Sequence, residues 1–220
     1  MLKADIHLHA GEDQLHKLSY SSKELIDHAS RKGFEVLALT FHRDIFFNKE
    51  LSDYAKKKGI LLIPGVERYI EGKEVLIYNL KEGEEKNINT FNDLRSLKKK
   101  KDVLIIAPHP FFKTGNCLGK KLVENIDVFD AIEYSHFYTS NINFNKKAVK
   151  VARECDLAVV GMSDAHNLYQ VGMTYSLIDS KKNVKSVFKA IREKKVILKT
   201  SPVPLKYFIK RVFKVVLDLE

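Results

Sequence analysis

Short apolar segments alternate with amphipathic segments along most of the 220-residue chain. The apolar segments are four to six residues long and rich in Val, Ile and Leu, which is typical of buried parallel strands. They lie at 3–7, 36–40, 61–66, 75–80, 103–107, 131–134, 158–162, 173–178 and 196–200. The amphipathic segments are predicted helices, and they lie at 22–32, 52–58, 90–100, 145–154 and 184–194.

This alternation predicts an α/β domain with a parallel sheet, which is either open or closed into a barrel. In both folds, functional side chains lie at the carboxyl ends of the strands. Five predicted strands are followed there by metal-binding residue types, namely His7 and His9, His42, Glu67, His109, and Asp164 with His166. An open sheet draws on few strands at its crevice, whereas a barrel gathers all of them around one axis. The sequence therefore favours a TIM-like barrel with its site at that rim.

The composition indicates a soluble globular protein, and the length suits one large domain. Pro202 and Pro204 break the last predicted strand, so we expect a domain at 1–200 and a separate tail at 201–220. Hydrophobic residues make up 45% and charged residues 30% of the chain, and no apolar run reaches the length of a membrane span. Because the first residues lead directly into a predicted strand, we expect no secretory signal, and two cysteines far apart do not suggest a disulfide framework. We expect a cytoplasmic protein.

The formal net charge is +10. One interpretation is attraction to phosphate-bearing partners, including nucleic acid. The other is a lysine-rich solvated surface, which a charge run usually indicates. In either case a basic surface would help to recruit an anionic substrate.

Histidine and carboxylate ligands together suit Zn, Mn or Fe, whereas Ca or Mg alone would favour oxygen ligands only. The candidates outnumber the four ligands of one tetrahedral site, so we expect two or three divalent ions that share a bridging carboxylate. Paired metals activate water and bind phosphate oxygens in phosphate ester hydrolysis. The chain contains neither a nucleotide-triphosphate loop nor a dinucleotide-binding glycine motif.

Five short motifs, in order, resemble those of the PHP (polymerase and histidinol phosphatase) family. Residues 5–9 resemble Asp-x-His-x-His, residues 40–42 resemble Thr-Asp-His, and residues 63–67 resemble Pro-Gly-x-Glu. Residues 107–110 resemble Ala-His-Pro with one inserted residue, and residues 163–166 resemble Ser-Asp-x-His. The resemblance covers about residues 1–200. It implies a distorted (β/α)7 barrel with a multinuclear metal site and metal-dependent phosphoesterase activity.

The resemblance also implies a ligand set and catalytic residues. The first metal would be held by His7, His9, Glu67 and Asp164. Glu67 and His109 would hold the second, with Glu74 as an additional candidate. The third would be held by His42 and His166 together with a residue of the 12–16 loop, among which Asp13 is favoured over Glu12 and His16. The catalytic residues would be Asp164, His166 and Glu67.

Two positions depart from the family pattern. Phe41 replaces the Asp of Thr-Asp-His, so His42 lacks a neighbouring carboxylate that would orient it. Glu74 stands where the family has a histidine, and it is either an oxygen ligand or a sign that the second metal is bound more weakly.

Arg43, Arg68, Lys113 and Lys120 follow rim strands and are candidates to hold a substrate phosphate, and the two arginines are favoured because arginine binds phosphate in a bidentate manner. His136 is predicted to contact substrate or metal, and the alternative is a solvated loop histidine. In the tail, apolar residues recur at helical spacing with Lys and Arg between them. This pattern predicts a basic amphipathic helix, which either packs on the barrel or a second subunit, as in a homo-oligomer, or binds a membrane surface or partner.

The leading hypothesis is a metal-dependent phosphoric ester hydrolase that acts on a small phosphorylated substrate. One alternative is a nucleic-acid processing or binding protein on the same fold. The other is a non-catalytic scaffold that keeps its metal site for stability.

Overall fold

The structure is a computed structural model, and it describes residues 1–204 and residue 208. The strands are β1 (Leu2–Leu8), β2 (Val36–Leu39), β3 (Leu61–Ile70), β4 (Lys73–Tyr78), β5 (Leu104–Ala107), β6 (Ala131–Ser135), β7 (Ala158–Met162), β8 (Thr174–Ile178) and β9 (Val196–Thr200). The α-helices are α1 (Ser22–Arg31), α2 (Lys49–Lys57), α3 (Phe91–Lys98), α4 (Lys120–Glu124), α5 (Asn145–Glu154) and α6 (Val184–Arg192).

Helix starts follow the capping signals of the sequence. The Ser21 hydroxyl accepts a hydrogen bond from the Glu24 backbone N–H, while the Glu24 carboxylate accepts one from the Ser21 N–H. This reciprocal pair satisfies two donors at the start of α1. Thr90 and Asp93 form the same arrangement at α3, so both predicted helices begin within one residue of the expected position.

The strands form one mixed sheet in the order β7-β6-β5-β4-β3-β2-β1-β8-β9. Neighbours are parallel within β1–β3 and within β5–β7, but β4 is antiparallel to both of its neighbours, and so is β8. The expectation of a wholly parallel sheet is therefore wrong at β4 and β8. At β4 the reason is the two-residue turn at Glu71 and Gly72, both with positive φ, which is too short for a parallel crossover.

The sheet curves into a nearly closed barrel, in which β7 meets β8. The Ser176 hydroxyl accepts a hydrogen bond from the Gly161 N–H at 2.8 Å and donates one to the Gly161 carbonyl oxygen at 3.1 Å. A Cβ at Gly161 would lie 2.7 Å from the Tyr175 carbonyl oxygen, so this close approach requires glycine. The distorted TIM-like barrel expected from the sequence is confirmed.

The barrel interior is filled by apolar strand residues such as Ile6, Ala38 and Ile106, together with the buried face of α6. Inside it, the Tyr78 hydroxyl donates a hydrogen bond to the Ile6 carbonyl oxygen at 2.9 Å. Helices α1 and α2 cover one part of the outer sheet surface, and α3, α4 and α5 cover another. This packing leaves one rim of the barrel for polar side chains.

The predicted tail helix lies outside the described residues except for 201–204 and Phe208. The Val203 N–H donates to the Tyr138 carbonyl oxygen at 2.8 Å, and the Phe208 ring stacks on Phe137 at a centroid distance of 4.5 Å. Among the described residues, no helix is both long and apolar enough to cross a membrane.

Candidate metal centre

His7 and His9 lie at the end of β1, and both side chains are fully buried. His7 Nδ1 is 3.2 Å from Glu133 Oε2, and His9 Nδ1 is 2.9 Å from Asp13 Oδ2. A carboxylate that accepts the Nδ1 proton leaves the lone pair of the imidazole on Nε2. Each ring therefore presents Nε2 to the centre of the rim, as a metal ligand would.

Four potential ligand atoms meet at this point, and we call them the four-donor set: His7 Nε2, His9 Nε2, Glu67 Oε2 and Asp164 Oδ1. Each imidazole nitrogen is 3.3 to 3.5 Å from each carboxylate oxygen. Ligands at about 2.0 to 2.1 Å from a tetrahedral Zn²⁺ would be about 3.3 Å apart. The four-donor set therefore fits one divalent metal ion.

The electrostatics of the set also favour a cation. Burial opposes protonation, but Asp164, Glu133 and Glu67 raise the pKa of His7 well above its usual value. Burial likewise opposes it at His9, where Asp13, Asp164 and Glu67 raise the pKa to about 9. In the described structure, the buried atoms His9 Nε2 and Glu67 Oε1 have no hydrogen-bond partner. A divalent ion would supply the positive charge and the missing partners together.

A second set of ligand atoms surrounds His109, which follows β5 with an unusual φ of 23°. His109 Nε2 is 3.6 Å from Glu67 Oε1 and 3.9 Å from Asp164 Oδ2. Glu67 thus turns one oxygen to the four-donor set and the other to His109, as a bridging carboxylate does. On the opposite edge of the ring, His109 Nδ1 lies 3.4 Å from Cys117 Sγ and 3.9 Å from Glu74 Oε2.

A third group contains three histidines and Asp13. His42 Nδ1 is 2.8 Å from Asp13 Oδ2, and His42 Nε2 is 3.3 Å from Glu67 Oε2. The His166 ring stacks on His9 at 4.6 Å, and the His16 ring lies 4.8 Å from His42 and 4.7 Å from His166. These imidazoles adjoin the four-donor set and line the same pocket.

The three candidate metal ligands of the 12–16 loop, Glu12, Asp13 and His16, differ in where their side chains lie. The Glu12 carboxylate accepts hydrogen bonds from the N–H and hydroxyl of Ser22 at the start of α1, so it faces away from the rim. One oxygen of Asp13 contacts both His9 and His42. His16 faces the site, where burial and the neighbouring His42 and His9 lower its pKa to about 4.

Asp13 also supplies the carboxylate that His42 was expected to lack. In place of the family's Asp, Phe41 is buried and stacks on Phe46 at 5.1 Å. The Asp13 carboxylate accepts hydrogen bonds from the His42 backbone N–H at 3.2 Å as well as its Nδ1. The orienting contact is therefore retained, but from a different loop.

Glu133 is a site residue that sequence reasoning did not assign. It is fully buried on β6, and its Oε2 contacts His7 Nδ1 and accepts the His109 backbone N–H at 2.9 Å. It thereby fixes one histidine from each of the first two ligand groups. The available signal was a single glutamate inside an otherwise apolar strand, since buried carboxylates are rare unless they are paired.

A pocket of about 660 Å³ opens above these residues. Its floor is formed by polar side chains, including His42, Glu67, Glu74, His109, Asp164 and His166. Its sides are largely apolar and include Leu15, Phe112, Phe137, Ile142, Phe144 and Phe208. The metal-binding candidates are therefore accessible to a small molecule.

The predicted substrate contacts differ in position. His136 lines the pocket, with its Nε2 3.1 Å from Gln170 Nε2. Arg43 and Arg68 do not line it, and the Arg68 guanidinium donates hydrogen bonds to the Arg43 carbonyl oxygen and to Asn89 Oδ1. Of the lysines and arginines that the structure describes, Lys113 lines the pocket.

Comparisons with solved structures give the same fold. A two-domain protein of Bacteroides vulgatus that contains a predicted PHP-like metal-dependent phosphoesterase matches with a TM-score of 0.66 and 17% identity, over 90% of this chain and 64% of that one. PsfC of Pseudomonas syringae matches with a TM-score of 0.65 and 16% identity, over 98% of each chain. The lesion-specific endonuclease EndoQ of Pyrococcus furiosus matches at 0.61 and 15%, over 87% of this chain and 56% of that one.

This chain spans less than two thirds of the first and the third of these proteins. No curated protein matches the sequence. A family model described as PHP-associated matches residues 143–196, which include α5, β7, Asp164 and His166. Over these residues the chain is similar to PHP-associated proteins, and the five ordered motifs that resemble the PHP family lie at one rim of the barrel.

Proposed function

We propose that this protein is a hydrolase of phosphate esters that acts through two or three divalent metal ions. The observation that carries the proposal is the four-donor set, in which two imidazole nitrogens and two carboxylate oxygens lie at ligand spacing in a buried cluster beneath an open pocket. No proton shuttle of the Ser-His-Asp type is needed for this chemistry.

A divalent metal bound here would lower the pKa of a coordinated water and polarise the phosphate ester. His7, His9, Glu67 and Asp164 would hold the first ion, and Glu67 with His109 would hold the second. His42 and His166 would hold the third together with His16, whose ring lies 4.8 Å and 4.7 Å from theirs, whereas Asp13 contacts the Nδ1 edge of His42. The proposed catalytic residues are thus Glu67, Asp164 and His166, whose positions fix where the attacking water lies.

The other side chains orient these ligands and the substrate. Glu133 and Asp13 hold the Nδ1 edges of His7, His9 and His42, so that each Nε2 stays directed at the centre. Lys113 and His136 face the same pocket and are the proposed contacts of the phosphate ester. The cationic ammonium of Lys113 would balance charge that the metals leave on the phosphate.

The test is metal content together with phosphate release. Protein purified without chelator is expected to contain two to three metal ions per chain and to release phosphate from a panel of esters when Mn²⁺ or Zn²⁺ is added. His7→Ala and Asp164→Ala should abolish release, whereas His28→Gln, which changes a histidine on α1 outside the pocket, should not. Absence of bound metal, with no release under either ion, would overturn the proposal.

A second candidate is hydrolysis of nucleic acid by the same centre. It is favoured by the net charge of +10 and by the likeness of the fold to EndoQ, one structure of which is a complex with duplex DNA carrying an abasic lesion. Duplex binding that weakens steeply with salt, together with metal-dependent cleavage, would support it. Release of phosphate from small esters with no such binding would favour the first candidate.

A further inference from the structure

Four phenylalanine rings line one side of the pocket, and we call them the aromatic wall: Phe112, Phe137, Phe144 and Phe208. The wall starts beside the metal centre, since the Phe112 ring packs edge-on to the His109 ring at 6.1 Å. It continues outward from Phe112 to Phe144 at 5.4 Å and to Phe137 at 6.2 Å. Phe137 in turn stacks on Phe208 at 4.5 Å.

The wall is built from separate parts of the fold. Phe112 follows β5, Phe137 follows β6, and Phe144 immediately precedes α5. Each of these three rings is only partly buried, so each leaves part of its surface in the pocket. Exposed aromatic surface is costly unless a ligand covers it, because each ring carries a large apolar area.

The neighbours of the wall define what it accepts. Ile142 and Leu15 extend the apolar surface, and the Lys113 ammonium lies 6.0 Å from the Phe144 ring centroid at the pocket edge. In the described part of the wall there is no carboxylate to receive the hydroxyls of a sugar. Ring stacking and apolar contact are therefore the interactions that this side of the pocket offers.

We propose that the substrate is a phosphate ester whose alcohol carries an aromatic ring, and that the aromatic wall binds that ring. This inference rests on the proposed function. The phosphate would lie over the polar floor and the ring would extend along Phe112, Phe144 and Phe137. A pocket of about 660 Å³ is large enough for a phosphate and one such group together. The wall would then determine specificity without taking part in the chemical step.

The test uses two esters with the same kind of leaving group, propyl phosphate and 3-phenylpropyl phosphate, and their non-hydrolysable phosphonates. Calorimetry on the metal-loaded protein should show that 3-phenylpropylphosphonate binds about tenfold or more tightly than propylphosphonate. The kcat/KM for 3-phenylpropyl phosphate should likewise exceed the kcat/KM for propyl phosphate. Phe137→Ala and Phe144→Ala should each remove most of this preference, because the affinity for 3-phenylpropylphosphonate falls more than the affinity for propylphosphonate.

Phe111→Ala is the matched control, because Phe111 comes from the same loop as Phe112, does not line the pocket, and packs against the Lys147 ammonium at 4.3 Å. It should keep the preference for the phenyl group. Phe137→Leu keeps apolar volume without a planar ring, and it should lose part of the preference if stacking contributes.

The outcomes separate the two proposals. Equal binding of both phosphonates by metal-loaded protein would overturn the aromatic-wall proposal and leave the phosphoesterase intact, and it would point to a protein segment as the occupant of the wall. If neither phosphonate binds and neither ester is hydrolysed, the proposed function itself fails.

Discussion

At the scale of single residues, carboxylates that contact Nδ1 orient three of the histidines in the site. The Glu133 carboxylate contacts Nδ1 of His7, and the Asp13 carboxylate contacts Nδ1 of both His9 and His42. These contacts fix both the tautomer and the ring orientation before any metal arrives. They are made by buried carboxylates on β6 and in the loop after β1.

Glu133→Gln is expected to weaken metal binding about 10- to 100-fold, in the range found for partners of ligating histidines. The amide can still accept a hydrogen bond, but it removes a negative charge that lies between His7 and the backbone N–H of His109. Metal titration of the chelator-treated protein measures the change. Glu12→Gln is a control, since Glu12 contacts α1 rather than the ligands, and an equal loss in both variants would contradict the argument.

His109 differs from the other candidate ligands because its Nδ1 edge faces a sulfur. Cys117 Sγ is 3.4 Å from His109 Nδ1 and 3.0 Å from the Thr114 hydroxyl, and Cys117 is buried. If the sulfur orients His109, Cys117→Ala should lower affinity for one metal ion about tenfold or more, and Cys117→Ser should restore part of it.

Metal analysis and the absorption of the Co²⁺-loaded protein check this expectation. Orientation through the thiol gives no sulfur-to-cobalt charge-transfer band, whereas direct ligation gives a band that disappears in Cys117→Ser. Cys155→Ser serves as the control, because Cys155 is exposed. Unchanged metal content in Cys117→Ala, or a sulfur-to-cobalt band in the wild type, would refute the orienting role.

At the scale of elements, the sequence predicted the strands and helices well where apolar runs have clear limits. It ended the third strand at residue 66 because Glu67 and Arg68 interrupt the apolar run, whereas β3 continues to Ile70. Because the third strand was ended too early, the hairpin turn at Glu71 and Gly72 was not predicted, and neither was the antiparallel direction of β4. Local pattern could not reveal it, because the extension depends on pairing with β4.

The site residues, like the strands, could be predicted only where the local sequence pattern carries the signal. Ligand candidates at strand ends were visible in the sequence, because their position relative to an apolar run carries the signal. Glu133 was not assigned a role, since it lies within β6 and its partners are distant in sequence. The aromatic wall was also not predicted, because Phe112, Phe137 and Phe144 come from different loops that only the closed barrel brings together.

Closure of the barrel depends on the contact between β7 and β8. Gly161→Ala is expected to destabilise the protein by about 1 to 3 kcal/mol, because the added Cβ would overlap Tyr175 and Leu198 and separate the strands. Chemical denaturation of metal-free protein measures the free energy of unfolding. Gly115→Ala should change it little, since no atom lies within 4 Å of the added Cβ, and equal effects would contradict this account of closure.

At the scale of the whole molecule, a cluster of buried carboxylates lies within a chain of net charge +10. Glu67 and Asp164 are held close together near the barrel axis, and in spite of burial His7 keeps the pKa of both well below the usual range. A net positive charge would attract the proposed anionic substrate over a distance, but the anionic floor would repel that substrate on contact. The proposed cations at the floor would remove this conflict, and they would then belong to the folded structure as well as to the proposed reaction.

Metal removal should therefore lower thermal stability. An ion that binds only the folded state at about 100 times its Kd contributes about 2.7 kcal/mol, and each 1 kcal/mol corresponds to about 2 to 4 °C for a domain of this size. Chelation is expected to lower Tm by about 5 to 10 °C, measured by calorimetry or circular dichroism. In His7→Ala, which lacks one member of the four-donor set, the chelator should cause a smaller fall, because less binding energy is left to remove. An identical Tm with and without chelator in the wild type would mean that the rim is rigid without metal and that the carboxylates tolerate each other through the protonated histidines alone.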